Sequence, residues 1–354
     1  MFGFDRRGSK ARTGARARSN LMAACLRPAV PSLNSNMAVF VRRYGTLLGI
    51  ALVIGYFWLE LPNTFLTERN LLNISQQMSM LAVVAGTMTV VMAMGDFDLS
   101  VGSMASLSGI VAALVFISGG STLTAIAAAL LCGLVGGLIN GFLVSYVGIL
   151  PFIATLGAMT VYGGLAFKLS GGETLFGAAI PRGFSEFARR GVPLPSTGVV
   201  LPNLTLIAAA TIVCVWGLLE QTVVGRRIYA IGDNAEAARL AGVRVRPLRL
   251  AAFGIAGLGA AGAGLMYASR VASANPTQGA GLMLDAIAAV FLGQTMTEEG
   301  EPKVLATLAG VLILGVLGNG LTQMNVDSYV RDILTGSIVI AAVAASSFGK
   351  TKGR

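Results

Sequence analysis

Residues 121 to 145 read STLTAIAAALLCGLVGGLINGFLVS, a run without one charged side chain. About 20 apolar residues wound as a helix cross the hydrocarbon core of a bilayer, so this run is long enough to span it. Outward from it lie comparable segments at about 44 to 61, 71 to 94, 99 to 118, 149 to 169, 198 to 219, 250 to 268, 281 to 294, 303 to 321 and 331 to 347. The segment at 281 to 294 is short for a full crossing. Turn and breaker residues separate the runs: Pro62-Asn63, Gly119-Gly120, Gly171-Gly172 and a Pro/Gly-rich loop from Pro181 to Gly198. The pattern predicts an all-α, polytopic membrane protein of about ten transmembrane helices.

Composition agrees. Hydrophobic residues make up 55% of the chain and charged residues 12%, about half the charged share of a soluble domain. The formal charge of +10 could suggest nucleic acid, but its placement argues for membrane topology. Nine Lys/Arg against Asp5 alone fill the first 43 residues, and six Arg fall between 220 and 250. Both stretches border apolar runs, as cytoplasmic flanks do under the positive-inside rule. Ten spans with both termini inside put nineteen basic residues in the cytoplasm and seven outside. Residues 1 to 43 read as a disordered cytoplasmic tail, in which Met22 and Met37 are alternative starts, and 349 to 354 as a short cytoplasmic C-terminus.

Chemistry-bearing residues are sparse. Histidine is absent, and Cys25, Cys132 and Cys214 have no metal-ligand or CxxC spacing. No GxxxxGK[ST] phosphate loop and no credible nucleophile elbow occur, so neither catalytic residues nor a metal or cofactor site is expected. Asp96 and Asp98 stand between two apolar spans. An ionisable group at membrane depth is a candidate functional site, yet Asp98 precedes Leu99-Ser100 at the start of a span and could cap that helix. Asp285 invites the same two readings, and Asp96 stays open.

In the inside loop, Asp233 or Asn234 can cap a helix N-terminus, Ala235 to Ala241 suit a helix, and Gly242 is placed to end it. The result is a short, small-residue helix at the membrane surface, open to close approach by another protein; a solvated anchor of no function is the plain alternative. Asn140-Gly141 and Asn319-Gly320 each precede a glycine, Gly157 and Gly336, at the same interval. Five spans separate the two copies, which would make them an inverted repeat of the kind that frames transport paths. Asn-Gly is also a common turn pair.

The loop resembles the coupling segment of bacterial monosaccharide ABC permeases, the branch serving ribose, xylose, arabinose and related sugars. Its Gly-x-Asn-x-x-Ala-Ala-x-x-x-Gly pattern falls on Gly232, Asn234, Ala237, Ala238 and Gly242. Gly95-Asp96-Phe97-Asp98-Leu99-Ser100-Val101-Gly102 is similar to a second family element, and Asn140-Gly141 with Pro151 to Gly157 to a third. The resemblance implies a type II ABC importer-like permease domain over 44 to 348 in the bacterial inner membrane, with its coupling loop at 220 to 250. Gly232, Asn234, Ala237, Ala238, Arg239, Leu240 and Gly242 would contact an ATP-binding cassette subunit, which would do the hydrolysis. A periplasmic sugar-binding protein, a second permease copy and membrane lipid are the other implied partners, and Asp96, Asp98, Asn140 and Asn319 are candidates for the translocation path. One departure stands out: Leu292 to Pro302 reads LGQTMTEEGEP, placing Glu298, Glu299 and Glu301 where the family is glycine-rich. An ion-coupled secondary transporter of a small neutral solute is the rival reading, and it lacks obvious intramembrane ion sites. Polar residues such as Gln76, Ser79, Thr87 and Thr89 inside spans suit a polyhydroxylated solute or simple interhelical hydrogen bonds.

Overall fold

The computed structural model describes residues 49–193, 198–297 and 300–350. The tail expected over 1 to 43 and the last four residues lie outside these. The described chain is helical: α1 Gly49–Glu60, α2 Glu68–Met92, α3 Val101–Ile117, α4 Thr122–Phe142, α5 Pro151–Ser170, α6 Arg182–Arg189, α7 Asn203–Gln221, α8 Val223–Leu240, α9 Val245–Val271, α10 Leu282–Gln294, α11 Val304–Gln323 and α12 Ser328–Lys350. A π-helical turn, Leu143–Val147, continues α4. Six helices are long and apolar enough to cross a membrane (α2, α4 with its π turn, α5, α7, α9 and α11), and α1, α3 and α10 are shorter apolar helices.

Burial sorts the helices into centre and rim. Of their most apolar windows, 83% is buried in α2 and 61% in α9, against 22% in α5 and 28% in α4 and α7. Thus α2 and α9 pack on each other in the middle, with α3, α4, α10 and α11 around them. The rim helices turn apolar side chains outward, as Phe152, Ile153, Leu156, Val161 and Leu165 do on α5. Lipid as apolar as leucine supplies no hydrophobic drive between helices, so small residues and close backbone approach hold them together. On α4, Gly133, Gly137 and Gly141 lie against Gly257, Phe253 and Leu250 of α9, where any Cβ would strike the partner backbone.

Two short antiparallel pairs complete the fold. β1 (Leu175–Phe176) pairs with β4 (Ser273–Ala274), and β2 (Gly191–Pro193) pairs with β3 (Val200–Pro202). The stretch expected as a loop from Pro181 to Gly198 therefore contains α6 and β2, and α7 starts only after Pro202. Pro181 sits at the N-cap of α6 and Pro202 at that of α7, where a missing N–H costs nothing. Phe184, Ser185 and Ala188 give α6 one buried side, too short a stripe to stand out in the sequence. Ahead of the glycine-poor turn, Gly293 of α10 lies directly on the Ala306–Thr307 backbone; Glu298 and Glu299 lie outside the described residues.

Candidate functional site

The segment between α7 and α9 is helical for most of its length. Thr222 caps α8 by accepting from the Gly225 N–H. The helix then breaks at Asn234, whose backbone is extended at φ −159° and ψ 99°. Asn234 begins a second short helix: its Oδ1 accepts from the N–H groups of Glu236 and Ala237, both at 3.0 Å. Of the two residues able to cap, Asn234 does so. The far end closes as a Schellman motif, with Gly242 N–H donating to Arg239 O and Val243 N–H to Ala238 O. That motif needs a left-handed residue, and Gly242 supplies it at φ +84°.

Helical rotation divides the two alanines of the pattern. Ala238 is buried against the chain, whereas Ala237, Arg239 and Leu240 face outward. Leu240 is 79% exposed. A lone exposed leucine is ordinary, but this one lies beside Ala237 and the bared backbone of Gly242 at the tip of a helix outside the apolar spans. Glu236 and Arg239 form an exposed ion pair one turn apart, contributing little to stability.

Two contacts fasten α8 to the rest of the chain. Gly232 rests on the Ala93 carbonyl, so closely that any side chain there would collide. Tyr229 Oη donates to Pro302 O at 3.0 Å, tying α8 to the turn that carries Glu301. Burial first, then the charges of Glu220 and Glu301, push the Tyr229 hydroxyl above its usual range and keep it a donor.

The Gly95 to Gly102 element is a hub. Helix α2 ends in a second Schellman motif, with Gly95 at φ +78° donating to Met92 O and Asp96 N–H to Val91 O. Asp96 Oδ2 then meets Arg249 Nε of α9 at 2.6 Å, off the N–H axis, so the contact is an ion pair rather than an aligned hydrogen bond. Phe97 packs on Phe291 of α10 with ring centroids 6.0 Å apart. Asp98 Oδ1 accepts from Ser100 N–H and Oγ–H, and Asn140 Nδ2 of α4 donates to Ser100 Oγ at 2.8 Å. Asp98 thus braces the residue before α3 instead of bonding the first-turn amides of that helix. Burial, the largest influence, raises Asp96 to about 6 against the opposing charge of Arg249. Burial likewise pushes Asp98 up, partly offset by the Ser100 donors.

Asn140 and Asn319 do not meet. Asn140, fully buried, also lies 3.4 Å from the Tyr162 hydroxyl. Asn319, 4% exposed, accepts from Asn70 Nδ2 at 3.0 Å and from Gln323 Nε2 at 2.9 Å. Asp285 is half-buried in the first turn of α10. Ala93, Arg249, Tyr229 and Asn70 escaped the sequence reading, since a contact partner far along the chain leaves no local signal. Only Arg249 gave a hint, as an arginine at the edge of an apolar run.

Comparison with known proteins follows from this geometry. Residues 70–343 match the family described as branched-chain amino acid transport system / permease component. A ribose import permease protein of Bacillus subtilis (strain 168) is 37% identical over 303 residues, covering 86% of this chain and 92% of that protein. A D-allose transport system permease protein of Escherichia coli (strain K12) is 33% identical over 318 residues, covering 87% and 93%. An L-arabinose ABC transporter permease protein of Azospirillum brasilense is 32% identical over 315 residues, covering 89% and 90%.

Proposed function

Because this chain belongs to the branched-chain amino acid transport system / permease component family, we propose that it is the membrane-spanning subunit of an ATP-binding-cassette importer carrying a pentose or related monosaccharide across the bacterial inner membrane. The relatives named for ribose, allose and arabinose support the sugar. The observation that carries the mechanism is the Asn234-capped helix with Ala237, Arg239 and Leu240 turned outward. ATP binding to the partner subunit would move this helix and shift the population between faces. Hydrolysis belongs to that partner, and a periplasmic binding protein delivers the sugar.

Ten spans, namely α1 to α5, α7 and α9 to α12, with both termini in the cytoplasm, are supported by how the connections gather. Gly232 on Ala93 and Tyr229 on Pro302 bring the connections after α2, α7 and α10 to one face. The β1–β4 pair and the Asn275–Thr174 hydrogen bond bring those after α5 and α9 together. An inverted repeat relating α2–α5 to α9–α12 is supported by packing: α4 lies on α3 and α9, α11 on α10 and α2, α5 on α3, and α12 on α10. A second permease copy fits against α5, where Gly157 and Gly164 have no atom of this chain within 4 Å. Asp96, Asp98, Asn140 and Asn319 serve the path from behind, holding the helices that border it.

The test is reconstitution with the ATP-binding subunit and binding protein, followed by uptake of labelled D-ribose, D-allose and L-arabinose. Uptake of at least one sugar should require ATP and survive a protonophore. Uptake that persists without ATP and collapses with the protonophore would make the chain a secondary transporter.

A further inference from the structure

Three segments far apart in the chain meet at the inner end of α2. The turn Ala93 to Asp96 is held by its own Schellman hydrogen bonds, so it moves as one piece with α2. Gly232, two residues before the Asn234 cap of the outward helix, sits on the Ala93 carbonyl, and Gly95 is a looser neighbour, its Cβ position 4.0 Å from Gly232 O. Asp96, next in the chain, is joined to Arg249 at 2.6 Å, and Arg249 lies in the first turns of α9. The outward helix, α2 and α9 are thus linked within a few residues, and α2 and α9 are the two most buried of the six long apolar helices.

We infer that Asp96 and Arg249 are positioning residues for transport: their ion pair locks the turn that receives Gly232 to α9, so that displacement of the 235–240 helix moves α2 and α9 together. The inference rests on the coupling role given above to that helix. Two features of the pair fit transmission better than stability. Buried ion pairs seldom stabilise a fold, because lost hydration offsets the attraction; Asp96 has a side chain 7% exposed and Arg249 23%. Burial also outweighs Arg249 at the Asp96 carboxyl, so the charged form is carried at a cost to folding. At the other side of the joint, Gly232 admits no side chain and therefore no slack.

The experiment uses the assembled transporter in proteoliposomes, with D-ribose, D-allose and L-arabinose as probes and the best-transported of them followed. Asp96→Asn and Arg249→Gln should still assemble with the ATP-binding subunit and hydrolyse ATP within about threefold of the parent, while sugar moved per ATP falls at least tenfold. The exchange Asp96→Arg with Arg249→Asp should recover more transport per ATP than either single variant, and Arg249→Lys should retain part of it. Transport per ATP unchanged in the single variants would overturn the inference. So would hydrolysis, uptake and assembled complex falling in parallel with no recovery in Arg249→Lys or the exchange, since that marks a structural pair. Failure of the parent chain to assemble with the ATP-binding subunit would instead refute the coupling reading on which the inference stands.

Discussion

Glutamate at position 237 separates a docking helix from a solvated one. Ala237 faces outward, and its N–H is already bonded to Asn234 Oδ1, so a longer side chain meets nothing in the permease. The isolated chain should therefore lose no more than about 0.5 kcal/mol, as exposed substitutions do. Against a partner, the same carboxylate would be stripped of water without a counter-charge. That costs several kcal/mol, and a loss of about 3 kcal/mol is roughly a hundredfold in affinity. Leu240→Ala is the apolar counterpart: a leucine buried by a partner contributes about 2 kcal/mol, roughly thirtyfold, yet at 79% exposure it contributes almost nothing to the free chain. The assay titrates the ATP-binding subunit onto permease in nanodiscs and measures Kd, with Arg190→Ala on the opposite face as control. Ala238→Glu completes the set, since Ala238 is 5% exposed and its glutamate should damage the permease itself. Affinities within threefold of the parent for both Ala237→Glu and Leu240→Ala would refute docking through this helix.

Three further outcomes are expected. Gly242→Ala should cost about 1 kcal/mol of stability through its φ of +84°, and Gly242→Asn less, measured by thermal unfolding in detergent. Asp96 is raised from 3.8 to about 6, so its contribution to stability is fully present below the unfolded value and is lost as pH rises through about 6. Between pH 4 and 7 the melting temperature of the parent should accordingly fall relative to that of Asp96→Asn, and parallel curves would contradict this. A cysteine at position 226, in a background where Cys25, Cys132 and Cys214 are replaced, should react with an impermeant reagent in inverted vesicles and not in intact cells.

Much of this architecture is legible one segment at a time. Apolar runs predict helix ends to within a few residues because the bilayer sets their length; the run at 149 to 169 corresponds to α5 at Pro151–Ser170. The caps of the outward helix are equally local, since Asn234 and Gly242 act on backbone groups within three or four residues. Legibility fails where amphipathic or polar segments fold by packing. Helix α6 rests on α9 through its buried face, and α9 begins at Val245 despite Arg246 and Arg249, which find Tyr146 and Asp96. Nothing near position 249 names residue 96.

The same division explains the two aspartates of the Gly95 to Gly102 element. Read alone, Asp98 was a cap or a functional charge and Asp96 stayed open, and neither reading described a hub. Asp98 needs Ser100, two residues on, and Ser100 in turn takes Asn140 from α4. Asp96 needs Arg249, which lies beyond α8 in the chain. One carboxylate therefore fixes the start of α3 to α4, while its neighbour fixes the end of α2 to α9. Asp96 closes the turn that Gly232 touches, and Asp98 follows two residues later. A charge buried at that position costs folding energy wherever it is not needed, and an asparagine would brace the turn without it. What an asparagine could not do is hold α9 to the turn by charge while the helices around them change places, and that is where the pair's effect should be sought.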